Sequence, residues 1–407
     1  MNWKSGTAAA MDHAWLSFMN LAVSFVFIRL ASKEEYGIYL LLLTPLYLIQ
    51  GVQNALLLSP IATVLPATPA DKKQSVINTA IAGQIVFLAC FAVLAAISLV
   101  GYFYVKNNSI ELWLALSFAL AIAGSSAREG ARALHYANED ALKAFRSDLI
   151  YGVGFLGMLA VIAYMGALSG GAVLAAMGFA ALWPYVLQSS HISKLSLDRD
   201  VLKKFWACGR WALVGVLVTW INMSAYPLVV GAMLSLSQVA DINAARLFLM
   251  PVVVGVTAWS TLIRPKISAY IAAGKVNEVR QLTLKSIYIG LTGLVLFSVM
   301  ITTCYPLLER ILGKAYQGLF PLVVMWAIGS ALGLVRAMFS ASLMTNPEGY
   351  KQLQYASWIA LVFSLGGLWF LTPYGSLWVV GVLAFVDLIQ LLWIGWKASI
   401  VWQEVKP

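Results

Sequence analysis

TAIAGQIVFLACFAVLAAISLVGY, residues 79–102, runs for 24 residues without one Asp, Glu, Lys, Arg or His, between Lys72-Lys73 and Lys106. About 20 apolar residues cross a hydrocarbon core of about 30 Å as a helix. A chain of ordinary soluble composition has no use for a segment this long and this uniformly apolar, so the segment predicts a transmembrane span.

The same pattern recurs outward in both directions. The 407 residues are 61% hydrophobic and 11% charged, with a mean hydropathy of +0.82, and no soluble globular protein could cover that much apolar surface. Apolar runs predict helices at 8–28, 37–64, 79–102, 112–127, 149–168 and 171–187, then at 211–233, 239–263, 287–308, 319–334, 355–371 and 377–396. The expected fold class is therefore all-α and polytopic, with about twelve transmembrane helices.

Residues 188–210, QSSHISKLSLDRDVLKKFWACGR, form the most polar stretch and divide the chain. The expected organisation is a six-helix half over 1–190, a cytoplasmic linker over 191–210 and a second six-helix half over 211–407. Equal helix counts give both halves the same orientation, so they are expected to be related by a pseudo-two-fold along the membrane normal. Pro60 opposite Pro265 and Arg132-Ala133 opposite Arg336-Ala337 add a loose internal repeat.

Charge placement orients the chain. With both termini cytoplasmic, the external side holds Arg29, Lys33, Lys106, Arg246, Arg310 and Lys314, and the other 21 of the 27 Lys and Arg stay inside, as the positive-inside rule requires. The net charge of +10 is thereby explained by membrane lipids and not by a nucleic-acid partner.

Several chemistries lack their residues. Gly274-Lys275-Val276 lacks the first glycine and the hydroxyl of a phosphate-cradling loop. His13, His135 and His191 lie far apart, with no metal-ligand spacing, and His135 and His191 read as interfacial. Cys90, Cys208 and Cys304 read as small core residues. Asn107-Asn108-Ser109 matches a glycosylation acceptor beside a span and carries little weight. External loops are too short to display the groups of a sugar polymerase or transferase. Neither an enzyme nor a cofactor or metal site is expected.

Polar residues within spans are costly and mark pathways or helix contacts. Asn20, Arg29, Gln50, Gln53, Asn54, Asn222 and Arg246 are the candidate substrate-binding residues, and Asp12, Asp241 and Asp387 the candidate ion-coupling ones. Arg246 stands out, because a guanidinium facing a cavity offers a planar fork of donors to phosphate oxygens. The alternative for Arg246 and Arg29 is snorkelling to the external interface, with Glu34 and Glu35 as partners. Helix-to-helix hydrogen bonding is the alternative for Gln50, Gln53 and Asn54. Arg128 and Arg132 read as cytoplasmic anchors.

Ser32-Lys33-Glu34-Glu35-Tyr36-Gly37-Ile38-Tyr39, followed by Gln53-Asn54-Ala55-Leu56, Ser59-Pro60 and the Arg128–Leu134 segment, resembles the polysaccharide and O-antigen export flippases. These belong to the multidrug/oligosaccharidyl-lipid/polysaccharide (MOP) exporter superfamily. The resemblance implies a V-shaped bundle with a central cationic cavity in the bacterial inner membrane. It further implies alternating access that carries an undecaprenyl-pyrophosphate-linked oligosaccharide to the periplasmic leaflet, for O-antigen, capsule or exopolysaccharide synthesis, beside a polysaccharide polymerase and a chain-length regulator. A cation-coupled multidrug exporter of the same fold, and a membrane-embedded polymerase or glycosyltransferase, are the competing expectations.

Overall fold

A computed structural model describes residues 3–69, 71–105, 112–138, 140–188, 196–344 and 347–404. Lys106, the Asn107–Ser109 triplet and His191 lie outside the described residues. Among those described there is no β-strand. The chain forms two compact units, Met1–Leu217 and Val218–Pro407.

The first unit contains α1 (Trp3–Leu30), α2 (Lys33–Gln53), α3 (Ser59–Ala67), α4 (Lys73–Val105), α5 (Leu112–Ala137), α6 (Ala141–Tyr164), α7 (Gly170–Gln188) and the start of α8 (Arg199–Ser224). The second contains the end of α8, then α9 (Tyr226–Met233), α10 (Leu236–Leu247), α11 (Met250–Ala272), α12 (Val276–Leu312), α13 (Phe320–Leu343), α14 (Pro347–Leu371) and α15 (Ser376–Glu404). Residues 199–210, expected within the linker, are already helical. The Asp198 carboxylate accepts from the amides of Asp200 and Val201 and so caps α8.

Among the described residues, eight helices are long and apolar enough to span a bilayer, and ten if each bent pair counts as one span. The two remaining spans of the twelve-helix pattern are α5, which carries Arg128, Glu129 and Arg132, and α7, which is short. The protein is a multi-pass membrane protein. Two expected straight spans are broken: α8 and α9 meet at 47°, α10 and α11 at 57°. Pro227 and Pro251 stand in the first turns after these breaks, where the missing N–H costs nothing but the ring blocks continuation of the preceding helix.

Between α2 and α3 the helix does not stop but widens into a π-helical segment at Asn54–Leu58. Pro60 follows it. A proline ring would strike the carbonyl four residues back in a regular helix, and a π segment relieves that clash.

Packing in the first unit follows membrane logic, in which close backbone approach replaces the hydrophobic drive. A Cβ on Gly124 in α5 would run into the Gly178 carbonyl of α7. The Tyr36-Gly37-Ile38-Tyr39 motif has a packing role: Phe27 of α1 stacks on Tyr36 and Tyr39 at 5.4 and 4.8 Å. Glu35 accepts the Gly170 amide at 2.6 Å, tying the start of α2 to the start of α7. Cys90, Cys208 and Cys304 are exposed, which corrects their reading as core residues: in a membrane helix an apolar sequence neighbourhood does not imply burial within the protein.

Candidate functional site

Arg128, Arg132 and Tyr136 recur every four residues and share one stripe of α5, which continues ten residues beyond the expected end at Ala127. Opposite this stripe α6 begins at Ala141, not Leu149, so Asp148 lies two turns inside a helix and not in a loop. Asp12 completes the group from α1.

Arg132 reaches Asp12 at 2.6 Å, Asp148 at 2.7 Å and Glu129 at 3.0 Å. Arg128 pairs with Glu129 at 2.6 Å and approaches Asp148 at 3.7 Å, and its guanidinium lies 4.2 Å from the Tyr151 ring centre. The Tyr136 hydroxyl donates to Asp12 at 2.7 Å. Asp12 and Asp148 are fully buried, and the two arginine side chains are only 11% and 12% exposed. This corrects the reading of Arg128 and Arg132 as interfacial anchors: a guanidinium held by carboxylates from other helices has no need of water or lipid headgroups. Three carboxylates and two guanidiniums make the group a closed network across α1, α5 and α6.

The Gln53 side chain donates to Gln84 at 3.0 Å and to the Ser126 carbonyl at 2.7 Å, while Gln84 donates to the same carbonyl at 2.9 Å. Gln53 is fully buried and Gln84 nearly so, so this amide pair joins α2, α4 and α5. Gln50 is half-buried. Asn54 is exposed at the head of the π segment, where its carbonyl oxygen accepts from Ser59 at 3.3 Å. Asn20 and Arg29 are exposed on α1.

The second unit gathers a different set around its helix breaks. Arg246 occupies the last turn of α10, just before the break into α11. It is half-buried and its guanidinium stands 5.4 Å from the ring centre of Trp326 in α13. The Trp326 indole donates to the Ile242 carbonyl at 3.1 Å and meets the Tyr226 ring edge-on at 6.2 Å. Tyr226, in the first turn after the other break, donates to Asn243 at 3.1 Å. Among the described residues, no carboxylate lies within ion-pair distance of Arg246. Discontinuous helices whose ends carry polar side chains are where membrane transporters build binding sites.

Asp241 is half-buried on α10. Asn222 is buried and donates to the Ser357 carbonyl at 3.0 Å, joining α8 to α14. Asp387 of α15 faces a guanidinium, its Oδ1 lying 3.0 Å from Nε of Arg336 in α13.

Of the expected residues, Arg246 alone joins the cluster at the breaks, Asp12 joins the network in the first unit, and Gln53 joins the amide pair. Asp148, Glu129, Gln84, Tyr226 and Trp326 were not singled out in sequence. Asp148 and Glu129 sit beside basic residues and read as loop or interface; Tyr226 and Trp326 are indistinguishable in sequence from apolar span residues.

No protein-family model and no curated relative matches the chain. Its fold is that of MOP-superfamily membrane transporters. An inward-facing multidrug resistance MATE-family transporter of that superfamily matches with a TM-score of 0.73 at 14% identity over 96% of each chain. The lipid II flippase MurJ, in an inward closed conformation, matches with a TM-score of 0.74 at 14% identity, over 96% of this chain and 87% of that one. A MOP-superfamily transporter from Pyrococcus furiosus, described as having a binding pocket of reversed polarity, matches at 0.59 over 97% and 94%.

Proposed function

We propose that the chain is a flippase of the bacterial inner membrane that carries an undecaprenyl-pyrophosphate-linked oligosaccharide to the periplasmic leaflet by alternating access. The single observation that supports the substrate class is Arg246: a half-buried arginine at a helix break, its guanidinium 5.4 Å from the Trp326 ring centre. An aromatic ring attracts the cation without using its N–H donors, which stay available to phosphate oxygens. The half-buried indole of Trp326 suits the apolar face of a sugar, while the buried Tyr226 serves to hold Asn243. The broken spans α8/α9 and α10/α11 supply the irregular backbone that such a site needs.

The cation-coupled multidrug exporter is the less well supported reading. Its coupling carboxylates would be Asp12, Asp241 and Asp387, and the first and last of these already face a guanidinium. A metal cation entering either site would have to displace or repel an arginine.

The deciding measurement is the level and sidedness of lipid-linked oligosaccharide in a deletion strain, with a reagent confined to the periplasmic leaflet. Accumulation inside, with loss of surface polysaccharide, is the expected result, and Arg246→Ala should reproduce it while inserting normally. Unchanged polysaccharide together with new sensitivity to cationic dyes would replace this reading with the exporter.

A further inference from the structure

α15 carries tryptophans near both of its ends. Nineteen residues separate the exposed Trp378 from Lys397, which is about 28 Å at the rise of an α-helix. A hydrocarbon core is about 30 Å thick. Exposed tryptophans settle at membrane interfaces, so with Trp378 at one of them Lys397 lies among the headgroups of the other. The charge-based orientation makes that the cytoplasmic leaflet.

Lys397 is not a freely moving surface lysine there. Its Nζ stands 4.2 Å from the ring centre of Trp396 and 5.5 Å from that of Trp393, and the two indoles meet edge to face at 5.6 Å. Trp393 is fixed in turn, packed against the buried cluster of Leu343, Ala356, Ile394 and Ala398. Core packing orders one ring, that ring orders the second, and together they hold a half-buried ammonium in place. A flexible four-carbon stem ordinarily loses rotamer freedom when it binds an anion, and here much of that freedom is already gone.

The ammonium keeps three N–H donors. Among the described residues no carboxylate lies within ion-pair distance of it. Lys351 of α14 is the opposite case, because its Nζ meets Glu348 at 3.1 Å, and the other oxygen of Glu348 accepts from Gln352 at 3.1 Å. One lysine at this end of the second unit is thus neutralised by its own helix, and the other is oriented without a counter-ion.

We propose that Lys397, Trp393 and Trp396 form a binding site for the phosphate of an anionic phospholipid in the cytoplasmic leaflet. The ammonium meets the phosphate oxygens. Trp396, exposed beside it, lies along the glycerol and the first methylenes, where an amphipathic ring fits best. The proposal does not depend on the flippase reading.

The test uses the full chain in detergent, with dioctanoyl phosphatidylglycerol set against dioctanoyl phosphatidylcholine and binding read by native mass spectrometry. The native chain should prefer the anionic lipid, and Lys397→Gln should reduce that preference about fivefold, the worth of one lysine at an anionic membrane surface. Lys397→Arg should keep it, since a guanidinium also sits on indole rings and binds phosphate. Trp396→Leu should weaken it about threefold although no charge is lost. Lys285→Gln, which removes an exposed lysine of α12, should leave it nearly unchanged. Equal losses for Lys285→Gln and Lys397→Gln would reduce the effect to bulk surface charge and overturn the site, as would no loss in Lys397→Gln. Displacement of the lipid by inorganic phosphate at equal concentration would make the ligand a free phosphate and overturn the lipid assignment. Tighter binding of farnesyl pyrophosphate than of phosphatidylglycerol, lost in Lys397→Gln, would give the lysine to a transported substrate and overturn it too.

Discussion

Arg132, near the end of α5, donates to Asp12, near the start of α1, at 2.6 Å, across 120 positions of sequence. Neither group has water to fall back on, so each makes the other affordable. The pair shares Arg132 with Asp148 and Glu129, which binds three helices of the first unit into one body.

Removing one side of such a network strands a buried charge, which costs about 3–5 kcal/mol. Arg132→Ala should therefore lower the melting temperature and the folded yield in detergent strongly. Arg132→Lys should rescue little, because a single ammonium cannot hold three carboxylates in the planes that a guanidinium fork satisfies. Full rescue by lysine would show that charge alone matters there.

Gln53→Leu should be a smaller loss. It removes donors to Gln84 and to the Ser126 carbonyl, but Gln84 still serves that carbonyl. Hydrogen bonds between spans contribute about 0.6–2 kcal/mol each. Thermal unfolding of Gln53→Leu, Gln84→Leu and the double variant should give non-additive losses; strict additivity would mean that the two amides do not act as a unit.

Gly124→Ala should disturb the first unit more than its one added methyl suggests, because the new Cβ would meet the Gly178 backbone. Backbone cannot step aside as a flexible side chain can. Gly154→Ala, where a Cβ meets nothing, is the matched control, and equal folded yields for the two variants would contradict the close α5–α7 approach.

Asp198 gives a pH dependence. The Ser75 hydroxyl donates to it at 2.9 Å, and this bond, with the amides that it caps, holds its carboxyl below the usual range. A depressed carboxylate contributes stability that is present above its unfolded value, about 3.9, and lost as pH falls through the lower folded value. Hydrogen exchange in the first turn of α8, corrected for intrinsic rate, should stay slow from pH 7 to about pH 5 and quicken below about pH 4. Asp198→Asn should exchange faster at neutral pH without that step; an unchanged profile would remove Asp198 as the cap.

The apolar runs located the spans to within a few residues at most ends, because lipid imposes a requirement on each segment separately. They fell eight or more residues short at one end each of α8, α11, α12, α13, α14 and α15, and likewise at the end of α5 and the start of α6, where helices continue through charged residues. There the polar side chains are satisfied by partners on other helices, which no local run of residues reveals.

Sequence by itself determined that this chain crosses the membrane many times and which residues would be costly there. Tertiary structure decided what each polar group does. Asp12 and Asp387 could have held ions, but the folded chain gives both of them to arginines; Arg128 and Arg132 could have lain in the headgroups, but it buries them. The physical reason is that burial and partnership of a charge depend on what stands across the helix interface. That neighbour is fixed only when helices far apart in sequence pack together.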